Sequence, residues 1–401
     1  MNVTGLVLMA LLSCKSQPSD EPAPIPDFRH DDFYAALQTY TDDFTRIDGD
    51  WKEDWGDASF YGLAFFSHVG TETNNTEYLA IASECHDRNM SVLDEQTLLT
   101  GDVNEISMSL FGLMEHMEAT GDQANVDALD TYVATLSSLL ELASFYIPAE
   151  AIGSWAVDAY GPNTINGLLG LICLQWADLN DDHAALNTAE KVVAQINEEA
   201  WNGTHYDFSD ERPGLYLYPN VALMLLNARL FQLTTNSEYR TQAQAAYEGI
   251  QPLRVDSAEG LAGPGRYRSP YSAETMGAQT DDYTTLSSQN YLMMALMVLY
   301  EITGDGSYLT EVDQVLDFVE DQLVGDWCRS EVHQGDCCPE GQVCVEDEYC
   351  FADACQTGVL HHWMDNRAAL ATDNEFICTG CNLQTLYVMW YRQQLKDLPE
   401  N

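Results

Sequence analysis

The chain has 401 residues, 64 of them acidic and 16 basic, for a formal charge of −48. So strong an acidic excess repels nucleic acid and anionic membrane surfaces at long range. It also makes polyanionic polymers such as pectate or heparin poor substrates, and it suits a solvated, aggregation-resistant surface.

The first fourteen residues are a short apolar run, Val7-Leu8-Met9-Ala10-Leu11-Leu12, closed by Ser13-Cys14 and too short to span a bilayer as a helix. Leu11-Leu12-Ser13-Cys14 resembles a bacterial lipoprotein signal. That resemblance implies cleavage before Cys14, lipid on its thiol, and an exported, membrane-anchored protein on the outer-membrane, periplasmic or cell-surface side. Residues 15–28 are rich in Pro, Ser and acids, a composition that does not pack and serves as a tether.

From residue 29 onward helical periodicity dominates and strand alternation is nearly absent. Helices are predicted over 29–44, 57–69, 76–96, 104–119, 122–145, 161–178, 182–199, 217–233, 237–249, 283–302, 307–323 and 381–396. Some, such as Ile165–Trp176, Tyr218–Leu233 and Tyr291–Tyr300, are apolar nearly all round, so they belong inside. Their partners, such as 182–199 and 307–323, carry one apolar stripe and an acidic face, so they belong outside.

One kind of turn joins inner to outer helices. It reads Thr120-Gly121-Asp122, Leu-Asn-Asp-Asp at 179–182, Thr-Thr-Asn-Ser-Glu-Tyr at 234–239 and Thr-Gly-Asp-Gly-Ser-Tyr at 303–308, with a looser copy at 73–78. Gly or Asn ends the first helix in the left-handed conformation, and Asp, Ser or Thr caps the next. The opposite connections are long: 45–56, 97–103, 146–160, 200–216, 250–282 and 324–380. In a closed ring of helical hairpins the short turns fall on one rim and the long loops on the other, where function concentrates.

Five hairpins and a sixth ending in 381–396, joined by Thr-Gly-Asp-x-x-Tyr turns, resemble the six-hairpin (α/α)6 toroid of carbohydrate-active enzymes. That group includes family 76 mannanases, unsaturated glucuronyl hydrolases and N-acylglucosamine 2-epimerases. The expected fold is therefore an all-α toroid over 29–401, interrupted by a Cys-rich insertion at 326–357. The expected function is a glycoside hydrolase acting on a neutral glycan as a monomer. A sugar epimerase or polysaccharide lyase of the same fold, and a non-catalytic glycan- or protein-binding lipoprotein, are the alternatives.

The long loops hold or adjoin Trp51, Trp55, Trp155, Tyr160, Trp201, Tyr206, Tyr216, Tyr218, Tyr267, Tyr271, Tyr283 and Trp363. Aromatic faces stack on the C–H face of a pyranose, and such rings also pack loops onto a core. Glycoside hydrolysis needs two carboxyls, one protonated and one ionised. Asp281-Asp282, at the head of an inner helix, is one candidate pair and resembles the Asp-Asp motif of family 76 mannanases; its plainer reading is a helix cap. Asp54 and Asp57, three apart among Trp51 and Trp55, are the other, with calcium a lesser reading because no known loop spacing is matched. Arg266, Arg268 and Glu274 add charge to the 250–282 loop. His361 and His362, followed by Trp363, resemble the histidine pair that epimerases of this fold use for proton transfer. No Gly-rich phosphate loop or nucleophile elbow occurs, and no cofactor is expected.

Eight of the 11 cysteines crowd near the C-terminus: Cys328, Cys337, Cys338, Cys344, Cys350, Cys355, Cys378 and Cys381. Such density in a loop poor in apolar residues predicts disulfides and an oxidising compartment, rather than zinc held with His361 and His362. The possible pairings number on the order of a hundred, so none is named. Cys85 and Cys173 fall in helical patterns and are expected to be buried thiols.

Overall fold

The computed structural model describes residues 29–43, 46–47, 50–51, 59–93, 103–152, 160–209, 213–256, 265–269, 284–328, 343–345, 349–351, 355–360, 363–364 and 379–395. Twelve long helices form its body: α1 Asp31–Asp43, α2 Ser59–Thr73, α3 Thr76–Val92, α4 Val103–Thr120, α5 Val126–Leu142 and α6 Pro162–Asn180, followed by α7 His183–Ala200, α8 Leu217–Thr234, α9 Ser237–Ile250, α10 Leu286–Thr303, α11 Ser307–Gln322 and α12 Thr379–Gln394. Each coincides with a predicted run to within a few residues.

The recurring turn works by a shared set of local bonds. Thr120, Thr234 and Thr303 each donate a hydroxyl to the carbonyl four residues back, then accept from the amide two residues ahead. A residue with positive φ then reverses the chain: Asn74, Gly121, Asp181, Thr235 and Gly304. The expectation of Gly or Asn at this place holds at three turns. At the other two, Asp181 and the β-branched Thr235 adopt the left-handed conformation, which is sterically costlier. Asn75, Asp182 and Asn236 then cap α3, α7 and α9 by accepting from the first free amides.

The even-numbered helices contact one another in sequence, α2 to α4, α6, α8, α10 and α12, and α12 returns to α2, so the inner ring closes. The sixth pair is not a hairpin. The inner helix α12 packs against α1, so the two ends of the chain meet to complete the ring. Inner helices are buried on nearly every side, as in α8, where every residue from Leu217 to Ala228 is buried. Outer helices bury one stripe, as α7 does with Ala185, Ala189, Val192, Val193, Ile196 and Ala200. Each such Val or Ile contributes on the order of 1.5–3 kcal/mol when fully buried. Close approach is required in places: a Cβ on Gly112 of α4 would stand 2.8 Å from the Phe60 carbonyl oxygen of α2. A buried bidentate pair, Arg392 Nε to Asp313 Oδ1 at 3.0 Å and NH2 to Oδ2 at 2.9 Å, ties α12 to α11.

Strands are more frequent than the sequence pattern predicts, though short. The α1–α2 connection holds β1 Arg46–Ile47 and β2 Asp50–Trp51, which pair with each other. The α9–α10 connection holds β3 Arg254–Val255, β4 Arg266–Tyr267 and β5 Thr284–Thr285. The α11–α12 connection holds β6 Val324–Cys328, β7 Val343–Val345, β8 Tyr349–Phe351, β9 Cys355–Leu360 and β10 Trp363–Met364. All pairings are antiparallel: β3 with β4, β6 with β9, β7 with β8, and β5 with β10. Every one of these ribbons lies in an outer-to-inner connection, on the long-loop side. Cys85 and Cys173 are buried thiols, as expected, and burial pushes the Cys173 thiol up to about 12. No helix among the described residues is long and apolar enough to cross a membrane.

Candidate functional site

The N-terminal ends of the inner helices converge on the long-loop rim, and there tyrosines from different helices meet across the ring. Tyr61 of α2 donates its hydroxyl to that of Tyr291 of α10 at 3.0 Å, although these helices are not neighbours in the ring. The Tyr291 hydroxyl also lies 3.8 Å from the Met108 sulfur of α4, on the far side. Tyr218 of α8 joins them with its ring 6.5 Å from Tyr291, and Tyr160, just before α6, packs edge-on to Tyr218 at 5.1 Å. Burial raises the phenols of Tyr61, Tyr218 and Tyr291 above their ordinary value, so they stay protonated. The result is a neutral, hydrogen-bonded layer in which Tyr61 and Tyr218 are buried and Tyr160 and Tyr291 are half-buried.

This layer is fastened to the β-ribbon above it. The Tyr218 hydroxyl bonds to Thr285 Oγ1 at 3.0 Å and to the Ser287 hydroxyl. Thr285 belongs to β5, and β5 pairs with β10 in the register Trp363↔Thr285 and Met364↔Thr284. Asp281-Asp282 precedes β5 by two residues in the chain, and His361-His362 immediately precedes β10. The strands β5 and β10, far apart in sequence, thus pair beside the tyrosines.

The remaining candidates fall as follows. Tyr160 and Tyr218 are part of the layer. Tyr216 is half-buried, its ring 4.7 Å from Phe208 in the 200–216 loop. Trp201 packs against Tyr206 at 4.9 Å, and Tyr206 is fully buried with its hydroxyl on Asn197. Arg266 is fully buried and donates to Thr284 Oγ1 at 2.7 Å, bracing β5 from behind. Tyr267 is also buried, its hydroxyl committed to Glu311 of the outer helix α11. Trp51 lies in β2 opposite Arg46, and Trp363 lies in β10. Asp54, Trp55, Asp57, Trp155, Tyr271, Glu274, Asp281, Asp282, Tyr283, His361 and His362 lie outside the described residues, as do Cys14, Cys337, Cys338 and Cys378. Among the described residues no group of three or more His, Cys, Asp or Glu stands close enough to hold a metal ion.

Below the tyrosines the bore of the ring is filled. Tyr61, Phe111 and Tyr387 contact in turn at 5.8 and 6.0 Å, and Tyr387 passes to Trp390 at 5.5 Å and on to Tyr391 at 6.5 Å. At the short-turn end this column meets a polar layer that the sequence reading missed. Glu115 accepts from His68 Nε2 at 2.9 Å (as an imidazole N–H), from Gln175 Nε2 at 2.5 Å and from the Tyr387 hydroxyl at 2.7 Å. Burial pushes the Glu115 carboxyl up, but His68 and Tyr387 outweigh it and hold the carboxyl below its ordinary value. Arg229 stands 3.8 Å from Glu301, with Tyr391 bonded to Glu301 at 2.7 Å. These groups tie inner helices together: Glu115 links α4 to α2, α6 and α12, and Glu301 links α10 to α8 and α12. The signal that could have found them is a charged residue inside an apolar run, such as His68 in Phe66-Ser67-His68-Val69 or Glu115 in Leu113-Met114-Glu115.

Residues 166–390 match the sequence profile of glycosyl hydrolase family 76. No curated protein matches the chain. Solved structures that share the fold include an α-1,6-mannanase of Salegentibacter sp. in complex with α-1,6-mannotriose, an inactive variant with two adjacent aspartates changed to asparagine. It is 11% identical and covers 91% of this chain and 99% of that one, at a TM-score of 0.55. An unsaturated glucuronyl hydrolase specific for heparin is 10% identical, covering 91% and 98% at a TM-score of 0.60. A cellobiose 2-epimerase from Spirochaeta thermophila is 14% identical, covering 90% and 94% at a TM-score of 0.58. Identities this low establish the toroid and leave the chemistry to the site.

Proposed function

We propose, for a chain that belongs to glycosyl hydrolase family 76, the hydrolysis of a neutral glycan by a pair of carboxyls at the long-loop rim. The observation that supports this reading is the β5–β10 pairing beside the uncharged tyrosine layer, since Asp281-Asp282 stands just before β5 in the sequence. Within the matched stretch 166–390 there are two adjacent aspartate pairs, Asp181-Asp182 and Asp281-Asp282. The first is spent on a short turn, where Asp181 is left-handed and Asp182 caps α7. That leaves Asp281-Asp282 as the pair free for chemistry, with Asp54 and Asp57 as the second candidates.

Two carboxyls held side by side in a partly dry site repel each other, so one takes up a proton and the other stays ionised. The protonated member assists the departing sugar oxygen, and the ionised one attacks the anomeric carbon or activates water. Tyr160 and Tyr291, the half-buried members of the layer, offer neutral aromatic faces to an uncharged sugar, with Tyr61 and Tyr218 packed behind them. The net charge of −48 favours such a substrate over a uronate polymer. The mannanase relative makes α-1,6-mannan oligosaccharides the first glycans to test. Purified enzyme is expected to release reducing sugar, and Asp281→Asn/Asp282→Asn to lower the rate by at least a thousandfold (about 4 kcal/mol). Equal turnover in both proteins would remove that pair from the mechanism.

Epimerisation is the second reading, favoured by His361-His362 standing directly before β10. It predicts an isomerised sugar with no new reducing end, so product analysis separates the two. Binding without turnover would instead favour a non-catalytic lipoprotein. Export as a monomer, with lipid on Cys14 and disulfides in the insertion, belongs to the same proposal. Fatty-acid labelling that persists in Cys14→Ser would overturn the anchor.

A further inference from the structure

The Cys-rich insertion contains two separate ladders, and each sets a cysteine directly opposite a cysteine. In β6–β9 the register runs Val324↔Leu360, Gly325↔Val359, Asp326↔Thr357, Trp327↔Gln356 and Cys328↔Cys355. In β7–β8 it runs Val343↔Phe351, Cys344↔Cys350 and Val345↔Tyr349. We infer that Cys328 bonds to Cys355 and Cys344 to Cys350 as two cross-strand disulfides.

Residues directly opposed in an antiparallel ladder have Cα atoms about 4.5–5.5 Å apart, inside the span of about 4.4–6.8 Å that a disulfide requires. The pairing is also sensitive to register. The β6–β9 ladder shifts between Gly325 and Asp326. Carried on from Gly325↔Val359 without that shift, it would oppose Cys328 to Gln356. The irregularity is what brings Cys355 into line, as bulges re-aim strand positions elsewhere. In β7–β8 a slip of one residue would oppose Cys344 to Tyr349 or Phe351. Two independent coincidences of this kind select one partial connectivity from the many the sequence allows.

The bond has a structural consequence at the site. β6 begins two residues after α11 ends, and β9 ends three residues before Trp363 of β10. A Cys328–Cys355 bond therefore clamps the far end of the ribbon whose returning strand delivers β10 to β5. In forming each bond, two thiols lose two protons and two electrons to a disulfide donor. That donor is the dithiol oxidase of an oxidising export compartment, or oxidised glutathione in solution. The connectivity rests on the export reading and is independent of the hydrolase reading, because its test does not use activity.

The test is peptide mapping of the full chain secreted through an oxidising compartment, alkylated in acid and digested at Asp and Glu. Glu346, Asp347 and Glu348 separate Cys344 from Cys350, Asp353 separates Cys350 from Cys355, and Glu331 and Asp336 separate Cys328 from Cys337. Two reducible cross-linked species are expected, one joining the peptides of Cys328 and Cys355, the other those of Cys344 and Cys350. In Cys344→Ser, one new reactive thiol is expected, at Cys350, with the Cys328–Cys355 species unchanged. A link from Cys344 to Cys355, a link from Cys328 to any cysteine but Cys355, alkylation of all four as free thiols, or zinc bound by them would each overturn the inference.

Discussion

His116 makes the fold sensitive to acid in a window where most of the chain's charges push the other way. It sits in α4 with Nδ1 2.8 Å from Ser67 Oγ, its ring 5.2 Å from His86, among Leu113, Met117 and Leu129. Burial, then the neighbouring His86, pushes its pKa down from 6.5 to about 4, with Asp122 at 4.0 Å opposing. Between those two pH values the unfolded chain binds a proton at this position and the folded chain does not. Stability contributed by neutral His116 is therefore complete above pH 6.5 and is lost as pH falls toward 4. The gap corresponds to roughly 3 kcal/mol at full extent. Protonating surface carboxylates meanwhile relieves the repulsion of 64 acidic groups, so the raw pH profile mixes both effects. The readable quantity is the difference between wild type and His116→Asn in urea unfolding at pH 7.5, 6.5, 5.5 and 4.5. Wild type is expected to lose ground on the variant by roughly 2–3 kcal/mol across that range. Parallel profiles would refute the reasoning, because they would mean His116 takes up its proton equally well in both states.

Asp313→Ala leaves the fully buried Arg392 guanidinium without its bidentate carboxylate and is expected to cost about 3–5 kcal/mol, seen as a lower midpoint in thermal or urea unfolding. Asp313→Leu/Arg392→Met should recover most of that loss, and a single-variant cost equal to that of a surface control would contradict the pairing. Tyr218→Phe removes the hydroxyl that holds Thr285, and so should lower kcat on the order of tenfold (~1.4 kcal/mol) if the proposed Asp281-Asp282 pair, which directly precedes β5 in sequence, depends on that strand. Unchanged kcat with a lowered melting temperature would make Tyr218 structural only.

The helices were legible because apolar periodicity and capping are local, and turns such as Thr303-Gly304-Asp305 satisfy their own backbone groups without outside help. The β5–β10 pairing was not legible. Each strand has two residues, and what joins Thr285 to Trp363 is decided by where the whole insertion returns. Tyr61 and Tyr291 were passed over because each sits in an apolar helical run, where a tyrosine reads as core. Only the ring's closure shows that their hydroxyls meet across it. Conversely, Tyr267 and Arg266 looked available in a long loop, and the structure buries both. Loop membership tells which rim a residue belongs to and is silent on which way its chain folds back.

The pairing of α1 with α12 makes the toroid a belt with a buckle. Gln393 reaches Asp31 across 362 positions of sequence, a span whose closure must wait for α12. A chain emerging N-terminus first presents α1 without its partner until α12 has been made. Through that interval the apolar flanks of α1, α2 and α10 that α12 covers are open. The 16-residue α12 is thus a keystone, and a ribosome stalled before it would leave an open strip of hairpins prone to self-association.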